Sequence, residues 1–360
     1  MNLSFSDDER LLADAVARWA EARTDEARRR AEAHPNGFDP KGWAEIAALG
    51  WLGAAVPEDH GGAGLGASGV AIIMEGAGRA QAPEPLTPAL AMLPPILTAA
   101  GRTDLLDALM AGEALGALAL DEPDRPFAPD RPATAFRDGR LHGAVARVPG
   151  AQAADWVVVP AMGPQGLTLT LVRPSAKGVA LAPRRLLDNR MGADLTFDGA
   201  EAEPLTLPDP AAALADAQDH AVPALCAEAV GVASALFAAT LAHLKSREQF
   251  GQPLARFQAL QHRMADAHVG LEEARSTVLM AVAALSDPDP AARGRALATA
   301  FCETADRCLK VGAEAIQLHG GLGMTEALPI GAGFRRLKAI SLSLGGRDRW
   351  LDRFLSLDAA

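Results

Sequence analysis

The chain has 360 residues, 49% of them hydrophobic, and its 45 acidic residues outweigh 34 lysines and arginines to leave a formal net charge of -11 and a pI near 5.2. That length exceeds what one core serves, so two or three packed subdomains are expected, and the apolar content excludes a disordered chain. The acidic balance, with basic residues scattered, excludes the electrostatic footprint of a nucleic-acid binder.

The start, Met1 to Glu9, is acidic and has neither a basic leader nor an apolar signal core. No run of about 18 apolar residues is visible either, so a soluble, cytoplasmic protein without a membrane partner is expected. Residues 6 to 112 read as helices: Ser6 with Glu9 three residues on is a capping box, and Leu11, Leu12, Ala15 and Trp19 recur at helical spacing. Asp39-Pro40 opens a second helix through Trp43, Ile46 and Leu49 to a stop at Gly50. The glycine-rich run Gly61 to Gly66 has no strand before it and no lysine after it, and reads as a connector rather than a phosphate cradle.

From residue 114 to 207 the texture turns to strands, as in Trp156 to Val159 and Leu167 to Val172, punctuated by Gly139, Gly150, Gly163-Pro164 and Gly178. After Leu207-Pro208 helical periodicity returns, with Val230, Ser234, Phe237, Leu241 and Leu244 on one face. Long helices at 253–285 and 290–318 follow, separated by Asp287-Pro288-Asp289-Pro290. The pattern alone gives an α+β chain dominated by helix, with helices long enough for a four-helix bundle. Cys226, Cys302 and Cys308 sit in helix-like segments without metal or redox spacing; they read as small buried hydrophobes, and no metal site is expected.

Two segments carry chemistry. In Ser246-Arg247-Glu248-Gln249-Phe250-Gly251, arginine offers a rigid donor fork suited to a pyrophosphate, an aromatic packs against a flat ring, and glycine lets backbone approach closely. Standing alone it reads as a helix C-terminal arginine and a turn. In Gln317-Leu318-His319-Gly320-Gly321, glycines end a helix and clear space for a ligand. His319 is either a structural histidine at a helix end or a general base.

Together with Phe257-Gln258, Gly323-Met324-Thr325, Val56-Pro57-Glu58-Asp59-His60-Gly61-Gly62 and Met74-Glu75, these segments make the chain resemble an acyl-CoA dehydrogenase over nearly its whole length. The resemblance implies an N-terminal α-helical domain (1–113), a middle β-domain (114–208) and a C-terminal four-helix bundle (209–360) with the flavin-binding segments. It further implies FAD lying between the β-domain and the bundle, and an oligomer, usually a dimer of dimers, in which a second chain completes each flavin site. The implied reaction is α,β-dehydrogenation of an acyl-CoA thioester in fatty acid or steroid catabolism, with electron-transfer flavoprotein as the default acceptor. By the same resemblance Arg247, Gln249, Phe250, Gln258, Gln317, Gly320 and Gly321 bind the cofactor. Arg247, Gln249 and Phe250 of one chain are expected to face Gln317, Gly320 and Gly321 of another, and His319 belongs to the FAD-binding turn.

This sequence departs from the family in several places. Leu120-Asp121-Glu122-Pro123 resembles the strand that meets the flavin but continues as Asp124-Arg125-Pro126, and Val148-Pro149-Gly150-Ala151 lacks the usual aromatic and hydroxyl residues. The reaction also needs a carboxylate to take the α proton as hydride leaves the β carbon. Counting from Arg335-Arg336, the usual base position holds Gly345; counting from Gly231, the alternative one on the first bundle helix holds Ala221. Glu228, two turns beyond, is either a relocated base or a structural carboxylate, and Glu326 reads as a capping or surface acid. The ending, Glu326 to Leu337, resembles the small subunits of bacterial heteromeric acyl-CoA dehydrogenases of the pimeloyl-CoA and steroid side-chain types, in which one chain lacks the base that its partner carries. Two other readings stay open: a flavin-dependent monooxygenase on the same fold, and a non-catalytic subunit completing a partner's FAD site.

Overall fold

The structure, a computed structural model, describes residues 5–125 and 127–358; Pro126 and the first four residues of the acidic start lie outside the described residues. Helices α1 (Asp7–Ala22), α2 (Asp25–Ala33), α3 (Pro40–Ala48), α4 (Gly66–Arg79), α5 (Leu93–Ala99) and α6 (Thr103–Met110) come first. Strands β1 (Gly116–Leu118), β2 (Ala135–Arg137), β3 (Arg140–Pro149), β4 (Trp156–Gly163), β5 (Gly166–Val172), β6 (Val179–Arg185), β7 (Met191–Glu201) and β8 (Glu203–Pro204) follow. The chain closes with α7 (Pro210–Ser246), the hairpin β9 (Glu248–Gln249) and β10 (Gln252–Pro253), then α8 (Gln258–Ala284), α9 (Pro290–His319), α10 (Ile330–Leu342) and α11 (Gly346–Asp358). Helices, a β-sheet, then helices is the expected α+β order.

Local chemistry sets the boundaries. Ser6 Oγ accepts the Glu9 N–H at 3.2 Å while the Glu9 carboxylate accepts the Ser6 N–H at 2.7 Å, a complete capping box. Asp39 and Asp289 each cap a helix through Oδ1, accepting the N–H of Lys41 at 3.0 Å and of Ala291 at 2.9 Å, with Pro40 and Pro290 in the first turn. Helix α7 runs through Pro223, which has no N–H to donate. Its apolar window has a mean hydropathy of 1.8, enough by length and composition to cross a membrane, with 67% of that window buried inside the protein. Glu228 interrupts a strictly apolar string there while the mean stays high.

The chain forms two compact units, and the N-terminal helices contribute to both. One comprises Arg29–Val70 and Pro83–Ala221. Its sheet runs in the order β6-β7-β3-β2-β4-β5-β8, with β1 pairing β4 in parallel. Leu141, Val145, Val157, Val159, Leu195 and Phe197 fill its core. A register shift between Val145 and Val148 bulges β3 against β7 and puts Arg147 at a φ of 53°.

The other unit comprises Met1–Arg28, Ala71–Ala82 and Val222–Ala360. Helices α8, α10 and α11 pack on α9, and Phe301 of α9 stacks on Trp350 of α11 with ring centroids 5.5 Å apart. Gly76 and Gly78 let α4 lie close to its neighbours: a Cβ at Gly76 would collide with the Val16 side chain, and one at Gly78 would stand 2.9 Å from the Val232 nitrogen on α7.

Candidate functional site

Helix α7 ends where the Arg247 N–H donates to the His243 carbonyl at 2.8 Å, and the chain then turns back through the β9–β10 hairpin. The two turn residues, Phe250 and Gly251, both have positive φ, 54° and 79°, the signature of a type I′ turn. Glycine takes that conformation freely, whereas a phenylalanine there is an outlier. The residue is 90% exposed, and its ring makes an edge contact to Phe257 at 6.0 Å. The Leu254 N–H donates to the Arg247 carbonyl at 2.8 Å and closes the hairpin base. Arg247, Gln249 and Gln258, the last in the first turn of α8, are all exposed.

The second segment ends α9. Gly320 takes φ 59° and ψ -139°, and its N–H donates to the Gln317 carbonyl. A Cβ at Gly320 or Gly321 would meet nothing within 4 Å, so the backbone there borders open space. Gln317 is exposed, while Leu318 and His319 turn inward.

Within one chain the two segments meet at one end of this unit. Leu244 of α7, Met264 of α8 and Leu318 of α9 share a buried cluster. The His243 and His319 rings stack at 4.4 Å, 27° from parallel. His319 is buried, with Nδ1 2.8 Å from the Ala315 carbonyl, so its ring is fixed by the fold. Burial, then His319 and Arg247, lower the pKa of His243, which favours its neutral ring. Sequence analysis missed His243; its position one helical turn before Arg247 is the only local signal.

The candidate bases are placed as follows. Ala221 is fully buried and carries no ionisable group. Gly345 lies in a turn, Ser343 to Gly346, in which no side chain ionises; its φ is 90°, and a Cβ there would stand 3.2 Å from the Arg349 Cβ and run into that side chain further out. Glu228 is 1% exposed, and Arg336 grips both its oxygens, Nε to Oε1 at 2.8 Å and Nη2 to Oε2 at 2.5 Å. A carboxylate held this way serves as a counter-ion inside the unit rather than as a proton acceptor. Glu326 pairs with Arg335 at 2.8 Å on the surface.

In the sheet unit, Asp121 and Glu122 are occupied by structure. Asp121 accepts from Arg147 Nε at 2.9 Å and from the Phe127 N–H at 3.1 Å. Glu122 accepts the N–H groups of Ala133 and Thr134, both at 2.7 Å, and pins the loop between them. Val148 is buried and Gly150 has a φ of 77°, so this segment offers backbone rather than side chains to a ligand. Cys226 and Cys308 are buried; burial pushes the Cys226 thiol up to about 12 and Cys308 upward as well.

Comparison with known proteins agrees with this layout. The acyl-CoA dehydrogenase N-terminal domain matches residues 6–113 and the C-terminal domain matches residues 215–350. Acyl-CoA dehydrogenase IpdE2 of Mycobacterium tuberculosis is 34% identical over 300 residues, 82% of this chain and 80% of that protein. Among solved structures, a Tcur3481–Tcur3483 steroid ACAD variant superposes with a TM-score of 0.88 at 32% identity, covering 98% of each chain. The ChsE4–ChsE5 complex of Mycobacterium tuberculosis shares the fold at TM-score 0.88 and 24% identity, over 100% of this chain and 99% of that one.

Proposed function

The chain belongs to the acyl-CoA dehydrogenase family, oxidoreductases acting on CH–CH donors, and from that membership we propose that it binds FAD and takes part in α,β-dehydrogenation of an acyl-CoA thioester as the base-lacking chain of a heteromer. The observation that supports the flavin is the end of the helical unit where His243 and Leu244, just before Arg247, pack with His319 and Leu318, which lie between Gln317 and Gly320. The residues fit the group: an exposed guanidinium for a pyrophosphate, an exposed aromatic held at positive φ, and a glycine pair open to close approach. When bound, FAD supplies a hydride acceptor for the β carbon. Arg247 neutralises phosphate charge, Gln249, Gln258 and Gln317 offer amide hydrogen bonds, and the Phe250 ring covers a flat face of the nucleotide half.

The base reading rests on Ala221 and on the Ser343 to Gly346 turn, neither of which brings a carboxylate, and on Glu228 being committed to Arg336. A carboxylate from a partner chain then takes the α proton. The relative that is a steroid ACAD points to a bulky acyl group, in the fatty acid or steroid class, and electron-transfer flavoprotein is the acceptor this reading assigns. A chain without its own base serves equally as a non-catalytic subunit completing the partner's FAD site, and the same experiment separates the two.

That experiment is co-expression with a glutamate-bearing homologue. One complex should elute, carry FAD, and lose its visible flavin absorbance on anaerobic addition of acyl-CoA, while the isolated chain reduces its flavin slowly or not at all. Rapid bleaching of the isolated chain by a straight-chain acyl-CoA overturns the base-lacking reading, unless Glu228→Gln abolishes it and so identifies Glu228 as the base. A flavin-bearing complex whose activity survives disruption of this chain's own acyl site is the subunit-only outcome.

A further inference from the structure

We infer that Arg349 closes the base position of this chain: its stem fills the space that a side chain at Gly345 would need, so packing as well as sequence keeps a carboxylate out. The inference rests on the reading of Gly345 as the position where the family's base would stand. Leu344, Gly345 and Gly346, between α10 and α11, take consecutive positive φ values of 53°, 90° and 72°. Glycine enters that region freely, but a buried leucine there is an outlier that its surroundings must hold.

Arg349 supplies that hold. It lies in the first turn of α11, and helical side chains lean toward the N-terminus, over the residue four places earlier, which here is Gly345. Its Nη1 donates to the Leu344 carbonyl at 2.9 Å, so the side chain is tied to the turn at its tip and to the helix at its root. A Cβ at Gly345 would run into Arg349 Cδ and stand 3.3 Å from Cγ. The stem cannot swing clear without giving up the Leu344 bond. Gly251 marks the contrast: its φ of 79° is similar, yet a Cβ there would meet nothing within 4 Å. Positive φ disfavours a side chain at both glycines, and Arg349 adds a second bar at Gly345 alone. Charge works in the same direction, because a carboxylate four residues before a guanidinium is held ionised and accepts a proton poorly. Arg349 is thus a positioning residue, acting through the turn and not on the acyl group. Restoring a base takes two substitutions, one at each position.

Urea unfolding of the full chain tests the packing. Gly345→Ala should raise the unfolding equilibrium constant at least about tenfold more than Gly251→Ala, since both strain the backbone and only one meets a side chain. Arg349→Ala should shrink the Gly345→Ala penalty by at least about tenfold, whereas Arg349→Met, which keeps the stem and drops the charge, should leave it in place. Equal penalties at the two glycines, or a Gly345→Ala penalty unchanged by Arg349→Ala, overturn the inference whatever the reading of the base. Should Arg349→Ala fail to fold, the comparison of glycines decides. Anaerobic bleaching of the FAD-loaded chain by octanoyl-CoA then tests the chemistry, in which the new carboxylate takes the α proton as the β hydride passes to FAD. Gly345→Glu with Arg349→Ala should bleach at least about tenfold faster than Gly345→Glu alone. A packing contrast as expected with equal bleaching overturns the reading of Gly345 as the base position, and the inference falls with it. The two failures are told apart because unfolding needs no flavin.

Discussion

Gly78 of α4 and Gly231 of α7 press each helix onto the backbone of the other. A Cβ at Gly231 would run into the Glu75 carbonyl oxygen and stand 3.0 Å from the Arg79 nitrogen; one at Gly78 would run into the Glu228 carbonyl oxygen. Backbone cannot yield as a side-chain tip can. Arg275 secures the same crossing from α8, donating to Glu75 at 2.6 Å and to Ser234 Oγ at 3.3 Å.

Gly231→Ala should therefore destabilise the protein by about 1–3 kcal/mol, the usual cost of overpacking. Gly270→Ala on α8, where a Cβ meets only the Arg307 Cδ at 3.8 Å, should instead stabilise by roughly 0.4–1 kcal/mol through the unfolded chain. Urea unfolding of the two variants checks the contrast; equal effects would mean the helices are not held this closely.

Arg336→Leu should cost about 3–5 kcal/mol, because it leaves the 1%-exposed Glu228 carboxylate without its counter-ion. The double variant Glu228→Leu with Arg336→Leu should recover most of that loss. If it recovers none, shape rather than charge dominates the pair.

His243 gives a pH dependence with a definite sign. Its folded pKa lies below the ordinary 6.5, so between the two values the unfolded chain binds more protons. Stability then rises with pH through that window and falls on acidification. His243→Gln should flatten this part of the profile of urea midpoint against pH, and an unchanged slope would remove the His243–His319 stack as its cause.

Phe250 separates function from folding. Phe250→Gly removes an exposed ring from a left-handed turn position that costs a side chain about 1–2 kcal/mol, so fold stability should hold or rise. Flavin retained through gel filtration should fall, as it should in Arg247→Ala. Full retention in both variants would show that the hairpin does not touch the cofactor.

Helix starts were legible in the sequence wherever the signal was local: Ser6 with Glu9, Asp39-Pro40 and Asp289-Pro290 each act within one helical turn. The two glycine-bearing segments were legible as motifs because their residues lie side by side. What joins them was not, since the His243–His319 stack links positions that no spacing rule relates. Nor was the Glu228–Arg336 pair, whose members are 108 residues apart, or the Gly78–Gly231 contact, where a glycine inside a helix reads only as a weak helix former. The division into units was hidden for the same reason: stretches such as Ala71–Ala82 and Pro83–Ala221 follow one another in sequence yet fold into different cores.

The sheet begins its strand order with β6, which among the described residues pairs on one side only, with β7, and whose second half is exposed. Such a border is a standing invitation to another strand. Pro183 withholds an amide at that border, and Arg184 and Arg185, tied to Asp194 and to the Asn189 carbonyl, post charge along it. This corner acts as a gatekeeper against aggregation, confining self-association to surfaces that bury side chains instead of open backbone.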